Sequence, residues 1–213
     1  MKDFYKKYEH LFMILILITL SLVYFQINSL NRQVYNVEIF IDNYIPYVKY
    51  MIIPYVIYYI YLWGTYIYMI FKDRSLFVVH AKTMAFGTVI SIIIFLIFPG
   101  YITRPEIVGD DIFTKLTLLI YSADNPVNVL PSLHVLQSVL THKGIINIKN
   151  ISKFSKYVSQ ITCALISLST VMIKQHSFLD LIFGYGLAIL SYRIVYKRSG
   201  LSLKVDGNDI MGA

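Results

Sequence analysis

Two short strings hold residues able to do chemistry: Pro131-Ser132-Leu133-His134 and His176-Ser177-Phe178-Leu179-Asp180. In the second, a carboxylate follows a histidine by four residues, one helical turn away on the same face. A carboxylate that accepts from one ring nitrogen fixes the tautomer and leaves the other nitrogen free to attack. His176 is therefore read as a nucleophile, Asp180 as its orienting partner, and His134 as the acid that protonates a leaving group. The first string opens a helix, where proline is tolerated and unpaired amides attract anions. Ser132 and the amides of Leu133 and His134 can thus cradle phosphate oxygens. Arg104, in a loop bounded by Pro99-Gly100 and Pro105, offers the guanidinium best shaped for phosphate, and Lys174 offers a second cation two residues before His176. Together these types support phosphoryl transfer through a phosphohistidine.

Each group alone also has a plainer reading. A histidine and aspartate at this spacing serve equally as a structural pair, and Arg104 and Lys174 as cations snorkelling to an interface. Asp110, Asp111, Asp124, Asn125 and Asn128 can bind a headgroup or cap turns, with capping the expectation for the two asparagines. A charged pair at the end of a membrane helix, however, is costly without a function.

The elements that must position these groups are apolar. Of 213 residues, 57% are hydrophobic and 15% charged, with a mean hydropathy of +0.62, where soluble domains carry roughly 25% charged residues. Six runs approach the roughly 20 apolar residues that a span requires: Leu11–Leu30, Tyr50–Phe71, Ala81–Phe98, Ser132–Ile148, Tyr157–Ile173 and Phe178–Tyr196. The fourth is interrupted by Thr141, His142, Lys143 and Gly144. Asp111–Tyr121 is too short to span and reads as an interfacial or re-entrant helix before the fourth run. The first run reads as an uncleaved anchor, because Gln26-Ile27-Asn28 provides no small-residue cleavage site. The expected fold is all-α, a six-span bundle with one short interfacial helix. Residues 1–49 form the anchor and first loop, 50–196 the catalytic domain, and 197–213 a cytoplasmic tail, polar and fraying from Ser202.

Charge sets the orientation. Fourteen of the 19 Lys and Arg fall on the side holding both termini, and only Arg32, Lys49, Arg104, Lys115 and Lys174 on the other. The positive-inside rule puts the termini in the cytoplasm and the histidine strings at the extracytoplasmic face. His80, Lys82 and His142 fall on the wrong side for the site. The net charge of +7 comes from scattered residues, so nucleic acid is not an expected partner. A P-loop, a His-x-x-x-His pair and an HExxH string are all missing, so neither a nucleotide nor a bound metal is expected. The lone cysteine, Cys163, lies inside an apolar stretch and builds neither disulfide nor thiolate site.

These residues together resemble the type 2 phosphatidic acid phosphatase superfamily, whose pattern is Lys-x6-Arg-Pro, Pro-Ser-Gly-His and Ser-Arg-x5-His-x3-Asp. The chain offers Arg104-Pro105, then Pro131-Ser132-x-His134, then Ser169-x6-His176-x3-Asp180, over roughly residues 50–196. The resemblance implies His176 as nucleophile, His134 as general acid, Asp180 as orienter, and Arg104, Ser132 and Ser169 as phosphate contacts. Ile97 stands at the first-block lysine, Thr170 at the third-block arginine and Leu133 at the glycine, which leaves the site two cations short unless Lys174 substitutes for one. The strings Asn128–His134 and Lys174–His176 look most like the branch containing inositol phosphorylceramide synthases, which transfer a phosphoryl-headgroup to a lipid alcohol. The expected function is a multi-pass membrane phosphatase, of bacterial plasma-membrane type, that hydrolyses a lipid phosphate monoester or pyrophosphate without cofactor. The alternatives are a headgroup phosphotransferase using the same histidines and a lipid-binding scaffold with a degenerate site.

Overall fold

Short polar caps cut the apolar runs into helices, and a computed structural model describes this for residues 2–199. Among these residues there are seven α-helices: α1 (Lys2–Asn28), α2 (Ile52–Lys72), α3 (Arg74–Ile97), α4 (Ile112–Ala123), α5 (Leu133–Ile146), α6 (Lys153–Met172) and α7 (Phe178–Arg198). Lys204 and the tail from Ser202 lie outside the described residues. The starts of α3 to α7 share one device. Asp73, Asp111, Ser132, Ser152 and Ser177 each precede a helix and accept from first-turn amides, groups that otherwise have no partner. Ser177 and Asp180 complete a reciprocal capping box at α7.

The polarity of the bundle is inverted relative to a soluble protein. Thr83, Ser91, Ser138, Thr141 and Ser191 are fully buried between helices, while Leu15, Leu22, Ile60, Phe71, Ile97 and Phe154 face outward. Small polar residues inside and large apolar ones outside suit helices packing in lipid. Three helical stretches are long and apolar enough to cross a membrane: Lys7–Asn28, Arg74–Ile97 and Phe178–Tyr196. The other expected runs are helical too but less apolar or shorter. Tyrosines dilute α2, and serines and threonines dilute α6. With 14 residues, α5 is about 21 Å long at 1.5 Å per residue, against a hydrocarbon core of about 30 Å.

Several boundaries differ from the sequence reading. The third helix begins at Arg74, seven residues before the expected Ala81, because Asp73 caps it directly after α2. Lys82 is consequently a helix residue, and it pairs with Glu9 of α1 at 2.7 Å. Thr141–Gly144 do not interrupt α5. Gly144 is needed there for packing, because a Cβ would sit 2.5 Å from Met69 Cε and 2.8 Å from His80 Nδ1. The anchor α1 is integral to the bundle: Met13 and Leu17 join the main core, and Tyr24 and Ile27 pack with Ile92 and Phe95 of α3.

At one end of the bundle, three loops form a cap over the helix termini. Tyr35-Asn36 pairs in parallel with Gly100-Tyr101, and Val129 N–H donates to the Gly100 carbonyl at 3.3 Å. Val37, Ile102 and Val129 form a small core beneath these bonds. Asn28, at the end of α1, donates to the carbonyls of Asn125 and Val127 and accepts from the Asn125 amide. The cap fixes the strand-like entry to α5, and with it both chemical strings.

Candidate active site

His176 sits on a short connection between α6 and α7. Its amide and that of Gln175 both donate to the Thr170 carbonyl, which wraps the chain around the end of α6. Lys174 takes a left-handed backbone conformation, φ 55°, to make that bend. Asp42 of the first loop then clamps the start of α7, accepting from the Phe178 amide at 2.7 Å, where a carboxylate also complements the helix dipole.

The carboxylate of Asp180 is fully buried and accepts from Ser177 N at 2.8 Å and Ser177 Oγ at 2.8 Å. Its Oδ2 also lies 3.2 Å from His176 Nδ1, and the carbonyl oxygen of Val129 lies 3.1 Å from the same nitrogen. Both neighbours are acceptors, so Nδ1 carries the proton and Nε2 presents its lone pair. That lone pair faces His134 Nδ1 at 3.4 Å, which makes His134 Nδ1–H the donor. The resting site is a proton chain running from His134 through His176 to Asp180.

The two rings are held differently. His176 is pinned on two sides by Asp180 and Val129. His134 packs between Tyr55 and Tyr58, each with ring centroids at 4.6 Å, and hydrogen-bonds only to His176 among the described side-chain contacts.

The expected phosphate contacts are distributed unevenly. Ser132 caps α5, accepting from the Val135 amide at 3.3 Å, so its hydroxyl shapes the helix start that bears Leu133 and His134. Arg104 reaches the neighbourhood of His176 through Gln175, whose Oε1 accepts from its guanidinium. It also donates to the carbonyls of Tyr121 at 3.0 Å and Asp124 at 2.7 Å and stacks over the Tyr121 ring. Lys174 turns away, donating to the Asp42 carbonyl at 3.0 Å, so it does not stand in for a missing cation. Ser169 is buried and donates back to Ile166 in its own helix. Neither residue is brought to the histidines. His142, as expected, is elsewhere, against Ser159.

Asp124 and Asn128, read from sequence as headgroup ligands or turn caps, join the site together with Gln175. Asn128, at φ 59°, adopts the left-handed turn that asparagine tolerates. Its Oδ1 accepts from Arg32 at 2.6 Å, while its buried Nδ2 has no partner. Gln175 Nε2 and Arg104 Nε are likewise buried and unpartnered. Asn128 shares a cavity with His176, and its buried donor is expensive to leave unmet; an anion there would satisfy it. Asp124 accepts from Tyr24 at 2.8 Å, and burial raises its carboxyl above the usual range. Asp124 and Asn128 border, with both histidines, a cavity of about 310 Å³. Its walls are the apolar and aromatic faces of α1, α2 and α5. Thr88 and Gln137 lie deeper, where Gln137 accepts from Tyr58 and donates to Thr88. Among the described residues no three His, Cys, Asp or Glu side chains converge as a metal-ligand set.

No family model, curated protein or solved structure matches the chain.

Proposed function

We propose that this protein is a six-span membrane enzyme that cleaves a lipid phosphate ester at its extracytoplasmic end through a phosphohistidine on His176. The observation that carries the reading is the directed chain Asp180–His176–His134 at the mouth of an apolar cavity. His176 Nε2 bonds to phosphorus as the bond to the lipid oxygen breaks, and that oxygen takes a proton from His134 in its imidazolium form, which becomes neutral. Asp180 stabilises the cationic ring that results. An acceptor hydroxyl then attacks phosphorus, returns its proton to His134, and frees Nε2. The unpartnered Asn128 amide on the cavity of His176 supports the reading, since a phosphoryl oxygen would meet it.

Water as acceptor makes the enzyme a phosphatase. The surroundings of His176 favour a second acceptor, a lipid alcohol. Its side chain is only 9% exposed and opens onto aromatic walls, so a second amphiphile reaches it more readily than bulk water does.

The test is to mix purified protein with a lipid whose phosphate is radiolabelled, quench in alkali, and map the label. Label on His176, absent from His176→Ala and undiminished by EDTA, is the expected result. Label on another residue, or turnover that stops on chelation and returns with one divalent ion, would replace this mechanism with another.

A further inference from the structure

The charge around the cavity is wrong for a phosphate monoester. Among the described residues no Lys or Arg lines it, and its one carboxylate is Asp124. The nearby cations are occupied: Arg104 by two carbonyls and Gln175, Lys174 by the Asp42 carbonyl, Arg32 by Asn128. A dianionic phosphate would meet neutral amide donors and a negative side chain. The same cavity is lined by the rings of Tyr24, Phe25, Tyr58, Tyr59 and Trp63, drawn from α1 and α2, and Tyr24 bonds Asp124 directly. Aromatic faces with one carboxylate are what an ammonium group selects.

We infer that the lipid bound here carries a cationic amine next to its phosphate, a zwitterionic phosphodiester, with the amine held between Asp124 and the aromatic wall. The inference rests on the phosphoryl-transfer reading for the position of the phosphate beside His176. The diester brings a single negative charge, which the buried, unpartnered Asn128 amide at the cavity wall suits without a further cation. The amine adds a counter-charge on the cavity side of Asp124, whose backbone carbonyl is already taken by Arg104. Tyr24 hydrogen-bonds only Oδ1 of that carboxylate and leaves Oδ2 without a described partner. Burial holds the Asp124 carboxyl above its usual range, and the Tyr24 hydrogen bond with the nearby Arg104 and His176 offsets this only in part.

The cavity carries its own reporter, since Trp63 is the only tryptophan of the chain. Full-length protein in dodecyl maltoside is titrated, below micellar concentration, with dodecylphosphocholine, dodecylphosphoglycerol and dodecyl phosphate, following Trp63 fluorescence. The zwitterion is expected to bind at least tenfold more tightly than either chain-matched anion. Asp124→Asn should abolish that preference and Asp124→Glu retain it, with helical circular dichroism checking both folds. Equal affinities, a preference for an anion, or a preference unchanged in Asp124→Asn would overturn the inference. Should Asp124→Asn not fold, the wild-type and Asp124→Glu preferences decide alone. Zwitterion preference without label on His176 would sink the reaction and keep the headgroup assignment; label on His176 without the preference does the reverse.

Discussion

The backbone N–H of Ser132 donates to the carbonyl oxygen of Asp180 at 3.2 Å, tying the first residues of α5 to the first turn of α7. This bond sets the separation of His134 from His176, because each histidine lies within a few residues of one end of it. Gly184, one turn beyond Asp180, makes the approach possible. A Cβ there would lie 2.7 Å from the Ser132 carbonyl oxygen and 3.1 Å from Val135 Cβ.

Gly184→Ala must therefore push α5 away from α7 at the level of the histidines. Overpacking of this kind costs about 1–3 kcal/mol, and the lost register should reduce phosphoenzyme formation more than it reduces helicity. Gly186 is the control, since a Cβ there meets nothing within 4 Å. Gly186→Ala should keep full activity and melt no lower than wild type, as alanine is the better helix former. Thermal unfolding and label incorporation on both variants check the contrast. Equal behaviour would show that the helix separation does not govern the site.

How much of this was legible beforehand divides by physical cause. Histidine and aspartate types at helical spacing gave the His176–Asp180 pair, and the apolar runs gave the starts of α5 and α7. Charge counting placed Arg104, His134 and His176 at one end, where the structure also has them. Lys174 was misjudged because its direction depends on a left-handed bend and on the Asp42 carbonyl 132 residues away. The Val129 carbonyl and the Gly184 contact carry no signal in residue type or spacing. They arise from the loop cap and from helix packing. Asn128 read as a turn former, which it is, but the side of the turn its amide faces is a tertiary fact.

The Lys49–Asp111 pair ties the first loop to the start of α4 at 2.9 Å and should show as an acid-sensitive contribution. Hydrogen bonds from Lys49 and Thr114 hold the Asp111 carboxyl well below the usual range. A lowered folded value means the stabilisation is present above the unfolded pKa of about 3.9 and is lost as pH falls through the folded value. Wild type should melt slightly above Asp111→Asn at pH 7, with the gap closing only in strong acid and narrowing in high salt, as both groups are partly exposed. A gap that widens on acidification would contradict the pairing.

Orientation can be tested at exposed loop positions after Cys163 is replaced by alanine. Val108, in the loop between α3 and α4, and Lys153, at the start of α6, lie at opposite ends of the bundle and are both exposed. With cytoplasmic termini, Val108→Cys should react with an impermeant thiol reagent in intact cells, and Lys153→Cys only after lysis. The reverse pattern would put the histidines on the cytoplasmic side and overturn the charge argument.

The asymmetry of the two histidines gives the sharpest test of their roles. His176 is fixed by Asp180 and Val129 and in the proposed mechanism supplies the attacking nitrogen, so His176→Ala should be inactive on every substrate. In the same mechanism His134 supplies a proton, a contribution of about 10²–10⁴-fold where the leaving oxygen is a poor one. An aryl phosphate ester departs without that proton, whereas an alkyl lipid ester needs it. His134→Ala should therefore lose about 10²–10⁴-fold on the alkyl ester and far less on the aryl ester. Asp180→Asn keeps the nucleophile but replaces the carboxylate that fixes its tautomer and stabilises the cationic ring, so it should be impaired on both esters without being inactive. The decisive quantity is the ratio of alkyl to aryl kcat/KM for each variant. If His134→Ala leaves that ratio unchanged, His134 is not the acid, and the 3.4 Å contact between the rings would be a structural one.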